Sequence, residues 1–286
     1  MKKVLEIHKS SSPHWVGDGF PVRAMFASRR FSEAVSPFLL LDYGGPMEFP
    51  PAENPRGVEA HPHRGFETVT LVYQGELEHR DSAGNHGSLG PGDVQWMTAA
   101  SGIVHEEKHS RAFTERGGVL EMAQLWVNLP AKFKTALPAY QTLLHRDIPV
   151  IKPVNGGTVR VIAGNFLNTR GPARTFTPIN LWDMRLQANH TAELQVPDGH
   201  TTILVNLRGK ILLNETASVE AAEMALFDRS GEKIILTARE DATLLVLSGE
   251  PIPEPVVSHG PFVMNTDDEI RQAIMDYHSG RMGRIE

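Results

Sequence analysis

The sequence predicts an all-β protein built from two tandem β domains, and three observations carry that expectation. Its 25 glycines and 20 prolines are scattered, and they punctuate short apolar runs at the spacing of an antiparallel sandwich or barrel. The segment Thr68-Val69-Thr70-Leu71-Val72-Tyr73-Gln74-Gly75 is echoed 134 residues on by Thr202-Ile203-Leu204-Val205-Asn206-Leu207-Arg208-Gly209. Between the two copies the strand texture lapses over residues 129–138, a proline-bounded, basic stretch that reads as a linker. A length of 286 residues agrees with two domains of ~100–200 residues each, with the boundaries expected at 1–134 and 135–286.

The N-terminal run Met1-Lys2-Lys3-Val4-Leu5 begins like a secretion signal, but Glu6 and His8 interrupt it, so the expected location is cytoplasmic. Residues 68–73 are β-branched and aromatic, Gly75 ends them, and residues 76–80 resume before the turn-like Asp81-Ser82-Ala83-Gly84-Asn85, which together spell a hairpin. Gly90-Pro91-Gly92-Asp93 supplies a type II turn that launches a strand at Val94, and another strand runs from Leu120 to Val127. Thr266-Asp267-Asp268-Glu269 has the form of a capping box, and Ile270, Ala273, Ile274 and Tyr277 follow at helical spacing. A short amphipathic helix ending near Gly280 is expected there, covering a barrel edge.

Composition narrows the chemistry. Lys and Arg number 28 against 34 Asp and Glu, a formal charge of -6, and no basic block is long enough to track a phosphate backbone. Direct nucleic-acid binding is therefore disfavoured. Apolar runs are far shorter than the roughly 20 residues of a membrane span. Cysteine is absent, which removes disulfides, thiolate nucleophiles and iron–sulfur clusters and leaves any metal to nitrogen and oxygen ligands. The glycines at 156 and 157 lack a phosphate-cradle context, and Ser101 lacks a nucleophile elbow.

Histidine is the informative residue: six of the 13 fall between positions 61 and 109. On an extended backbone His61 and His63 project to one face about 7 Å apart at Cα. In a second strand His105 and Glu107 share a face while Glu106 points away, so parity selects Glu107 as the carboxylate and leaves His109 as a reserve. Three neutral imidazoles and a carboxylate suit a divalent transition metal and disfavour calcium or magnesium. Glu67 is a candidate to hold one imidazole, and Arg64 to pair with an unspecified carboxylate. Phe66, Trp96, Met97 and Trp126 are candidate pocket walls, although such residues in strands are more often core.

Four stretches resemble the pirin family of the cupin superfamily: Phe38-Leu39-Leu40-Leu41-Asp42, His61-Pro62-His63-Arg64-Gly65-Phe66-Glu67-Thr68, Pro91-Gly92-Asp93-Val94-Gln95-Trp96-Met97-Thr98-Ala99, and Gly102-Ile103-Val104-His105 with Glu107. The resemblance implies two tandem cupin (jelly-roll) barrels and one mononuclear Fe(2+) per chain, held by His61, His63, His105 and Glu107. It implies a metal-free second barrel, where the 134-residue offset carries the histidine pair onto Gln195 and Pro197, with His200 isolated nearby. For function it implies either a quercetin 2,3-dioxygenase, with Glu107 as ligand and catalytic base toward a flavonol-like substrate and dioxygen, or an iron-dependent redox sensor that regulates a protein partner.

Overall fold

The structure, a computed structural model, describes residues 1–152 and 156–285. It is all-β, with two barrels that each pair a seven-stranded sheet with a four-stranded one, and a short helix, Asp267–His278, near the C-terminus. No helix among the described residues is long and apolar enough to cross a membrane.

One barrel comprises Ser12–Arg23, Leu40–His145 and Ile252–Glu286. Its large sheet runs Ala139–Leu143, Val94–Thr98, Phe66–Gln74, Gly118–Asn128, Phe38–Phe49, Phe20–Ala27, His14–Val16, and its small sheet Gly57–His63, Ile103–His109, Leu77–Asp81, His86–Leu89. Phe20, Val22, Val72, Leu77, Leu89 and Met122 pack between the two sheets. The Leu77–Asp81 and His86–Leu89 strands pair as the expected hairpin, with Leu77 opposite Leu89.

The other barrel comprises Met1–Ser11, Ala24–Leu39 and Arg146–Pro251. Its large sheet runs Val4–Lys9, Glu223–Phe227, Thr201–Arg208, Ala242–Gly249, Ile179–Leu186, Gly157–Ala163, Val150–Ile151. Its small sheet runs Thr191–Gln195, Lys233–Ala238, Ile211–Leu213, Ala217–Val219. The two sequence repeats, in Phe66–Gln74 and Thr201–Arg208, each occupy the third position of a seven-stranded sheet, so the internal echo reflects equivalent strands.

These units interleave along the chain, whereas the sequence reading draws one boundary between 134 and 135. Strand pairing is the physical source of the difference. Val4–Lys9 supplies the edge of the second barrel's large sheet by pairing with Glu223–Phe227. Ala139–Leu143, beyond the expected boundary, pairs with Val94–Thr98 in the first barrel. The C-terminal helix also belongs to the first barrel, where Ile270 and Ala273 pack with Phe262, Met264, Met282 and Val104. Its capping box is formed as expected, with the Thr266 side chain accepting from the Glu269 amide.

Candidate metal centre

Two neighbouring strands of the small sheet carry the candidate ligands. Gly57–His63 pairs antiparallel with Ile103–His109, which sets His61 directly opposite His105. The register then slips, so that Glu107 lies opposite Val58. A bulge of this kind bends the local ladder and re-aims side chains.

His61, His63 and His105 converge. Their ring centroids lie 4.4 to 4.9 Å apart, the Nε2 atoms of His61 and His105 are 3.0 Å from each other, and one ligand atom from each of the three falls within 4.8 Å of the rest. Their tautomers follow from the backbone. His61 Nδ1 lies 2.8 Å from the Glu59 carbonyl and His63 Nδ1 3.3 Å from that of Pro261. A carbonyl only accepts, so both Nδ1 atoms carry the proton and both Nε2 atoms keep a lone pair. Burial, and then the neighbouring His61, pushes the His63 pKa down to about 3, and burial with the adjacent histidines drives His105 well below the ordinary value. Neutral imidazoles with oriented Nε2 lone pairs are the form in which histidine binds a metal ion, so the donor set fits one.

Glu107 stands one step from this trio. Its carboxylate groups with His105 and His79 within 4.8 Å rather than with all three of the other histidines. Oε1 accepts from Thr70 Oγ1 at 3.0 Å and Gln95 Nε2 at 3.2 Å, and Oε2 accepts from Gln124 Nε2 at 2.8 Å. Three donors on one buried carboxylate fix its position and occupy both of its oxygens. Glu106, as parity requires, turns to the other face and pairs with Arg80 and Lys108.

Several side chains differ from their expected places. His109 donates to the Gly19 carbonyl at 3.0 Å among Phe20, Phe49 and Phe113, apart from the cluster. Glu67 holds no imidazole; it sits opposite Thr98 and accepts from that hydroxyl at 2.7 Å. Phe66 and Trp126 flank His63 at 5.0 and 5.2 Å, whereas Met97 packs with Ala99 and Ile103. His79, unassigned in the sequence reading, donates from Nε2 to Asp81 at 3.1 Å and accepts from Gln95 at Nδ1, under a stacked Tyr140 ring. Its signal was its register opposite Glu107, which needs the strand pairing to be known. A narrow cavity of about 30 Å³, room for one or two waters, opens beside His61 and Glu107 and is also lined by Asp42, Gln124, Phe20 and Met122.

The C-terminal segment grips the turn that carries the histidines. Besides the bond to His63, Pro261 O accepts from the Arg64 amide at 3.3 Å, and the Val263 amide donates to Arg64 O at 3.0 Å. Gly65, at φ +88, lies so close to Val263 O that a Cβ there would sit 1.9 Å from it. Lys134, in the expected linker yet fully buried, donates to Gly65 O, Asn128 Oδ1 and Val263 O at 2.7 to 2.9 Å. Arg64 finds its carboxylate in Asp276 of the C-terminal helix, 2.7 Å away.

Comparison with known proteins agrees with this picture. The Pirin family model matches residues 19–127, and the Pirin C-terminal cupin domain model matches residues 181–283. A Pseudomonas aeruginosa protein named "Putative quercetin 2,3-dioxygenase" is 54% identical over 285 residues, 99% of each chain. Mouse Pirin is 36% identical over 256 residues, 87% of this chain and 83% of its own. A crystal structure of quercetin 2,3-dioxygenase from Acinetobacter baumannii, 48% identical, superposes with a TM-score of 0.98 over 100% of both chains.

Two measurements check this geometry. Asp276→Asn, which loosens the grip on the His63 turn, is expected to weaken metal binding by about tenfold in chelator competition. Asp183→Asn, which breaks a comparably buried pair with Arg160 in the other barrel, leaves metal affinity unchanged. The second measurement concerns Glu67, whose carboxyl burial raises to about 7 from 4.5. A raised carboxyl pKa favours folding below the unfolded value and costs stability as pH climbs through the folded one. Glu67→Gln is therefore expected to raise the melting temperature of metal-stripped protein at pH 8, by an amount equivalent to about 2–3 kcal/mol at most, and to leave it unchanged near pH 4.5.

Proposed function

The chain belongs to the pirin family, and from that premise we propose that it is an iron-dependent dioxygenase of flavonol-type substrates, with one Fe(2+) held by His61, His63, His105 and Glu107. The observation that carries this reading is the convergence of three imidazoles, two of them oriented by backbone carbonyls, with the Glu107 carboxylate beside His105 at the edge of a cavity. In the reaction proposed, dioxygen opens the central ring of the flavonol and carbon monoxide is lost. The ion supplies Lewis acidity toward the substrate 3-hydroxyl and a redox partner for dioxygen.

The chain's own residues divide the remaining work. His61 and His63 present lone pairs whose direction the Glu59 and Pro261 carbonyls fix. Glu107, held in place by Thr70, Gln95 and Gln124, supplies the carboxylate of the ligand set and is the catalytic group at the cavity. Phe20 and Met122 give that cavity apolar walls.

The width of the cavity favours a second reading. At about 30 Å³ it does not admit a bicyclic substrate without movement of its walls. A sensor needs no such opening, and the same ligand set serves an iron-dependent regulator of a protein partner. Oxygen uptake by iron-loaded protein with a flavonol panel separates the two.

Elemental analysis of protein purified without added metal is expected to give about one transition-metal ion per chain, chiefly iron, and His61→Ala combined with His63→Ala is expected to abolish it. Glu107→Gln is expected to lower kcat by about a hundredfold or more with a smaller change in KM. Glu106→Gln, on the opposite face, stays within about twofold of the parent.

A further inference from the structure

Asp42 belongs to the motif Phe38-Leu39-Leu40-Leu41-Asp42, whose apolar members serve the barrel and whose carboxylate feels the charge of His14 but is in none of the ion pairs among the described residues. It lies mid-strand in the large sheet, 9% exposed, and lines the cavity that His61 and Glu107 share. Its Oδ1 is buried without a hydrogen-bond donor. The polar groups around the same cavity are committed elsewhere: Gln124 donates to Glu107, and His61 is anchored at Nδ1 to Glu59 and faces His105 with Nε2. Asp42 is in neither group of potential metal ligands among the described residues. An unmet buried acceptor is destabilising, a cost that a donor entering from the cavity removes.

We propose that Asp42 is the specificity-determining residue of this site, its Oδ1 accepting a hydrogen bond from a hydroxyl of the bound ligand, so that the site selects polyhydroxylated aromatics over analogues lacking that hydroxyl. The proposal rests on the metal-centre reading above and names the feature of the substrate class that this wall reads. The physical basis is asymmetric: a site built around a polar group rejects a ligand that leaves it unpaired far more strongly than an apolar pocket rejects an extra methylene. Met122, unbranched and flexible, is the wall best able to yield to a ring.

The test is anaerobic binding of quercetin, kaempferol, galangin and 3-hydroxyflavone, the last bearing only the 3-hydroxyl, to the metal-loaded full chain and to Asp42→Leu, which fills a similar volume without an acceptor. The parent is expected to bind its preferred polyhydroxylated flavonol at least about tenfold more tightly than 3-hydroxyflavone, and Asp42→Leu to reduce that ratio to within about threefold at unchanged metal content. General damage weakens all four ligands together and leaves the ratio intact, and Asp42→Ala, with room to relax, gives the same collapse should the leucine variant misfold. A ratio in the variants equal to the parent's overturns the assignment, as does a parent that binds no panel member more tightly than 3-hydroxyflavone. Oxygen uptake is read separately. Collapse of the ratio without uptake upholds Asp42 and removes the oxygenase reading; uptake with an unchanged ratio does the reverse.

Discussion

The antiparallel pairing of Gly57–His63 with Ile103–His109 is the constraint on which the site depends, because it alone sets His61 against His105. Three imidazoles gathered in a buried space are unfavourable as cations and only weakly favourable as neutral rings. The fold imposes the neutral form on His63 and His105 through burial and fixes the rings of His61 and His63 through the Glu59 and Pro261 carbonyls. Ring orientation is thus set by the chain's own carbonyls, and an ion bound by the folded chain alone would add its binding free energy to folding stability.

Duplication makes the first barrel's departures easy to identify. The two large sheets have the same strand order, and the strand carrying His61 corresponds to Thr191–Gln195 as that carrying His105 corresponds to Lys233–Ala238. In the second barrel these strands turn Ala192, Leu194, Ile234 and Leu236 into an aliphatic core. Their cross-strand pair Gln195 and Lys233 faces outward, with Lys233 bound to Glu193. In the first barrel the corresponding sheet buries His105, and beside it His79, Asp81 and Glu107 in a hydrogen-bonded network reaching Gln95 and Tyr140. One scaffold therefore carries a greasy interior and a polar one, and the polar one surrounds the candidate site.

How much of this was legible in the sequence follows from the range of the forces involved. That Glu107 shares the face of His105 while Glu106 turns away is a property of the pleat and needs only local geometry, so it is legible from parity. The C-terminal helix was readable because a capping box and a helical apolar repeat are both local. Its attachment to the first barrel was not, since the Arg64–Asp276 pair spans more than two hundred residues and nothing in either neighbourhood names the other. Lys134 looked like a solvated linker charge because three backbone and side-chain carbonyls that saturate its ammonium are invisible until the chain is folded. His79 and Gln95 were missed for the same reason: their roles are cross-strand relations, and register is set by the whole sheet.

The polar interior also explains which groups stand out. A buried network is tolerable when each member finds its partners, and around Glu107 the donors are numerous enough that the carboxylate is satisfied even before it meets a cation. Gln95 shows how tightly this is specified: its amide donates to both His79 and Glu107 while its carbonyl accepts from Tyr140, so only one orientation of the amide serves all three. That orientation in turn requires the Nε2–H tautomer of His79, which the Asp81 carboxylate enforces. The chain from Asp81 to Glu107 thus fixes the ring tautomer of His79 together with the amide of Gln95. Beside that network, the unmet acceptor of Asp42 on the cavity wall is a local conflict between stability and some other requirement, and conflicts of that kind concentrate where a fold meets its ligand.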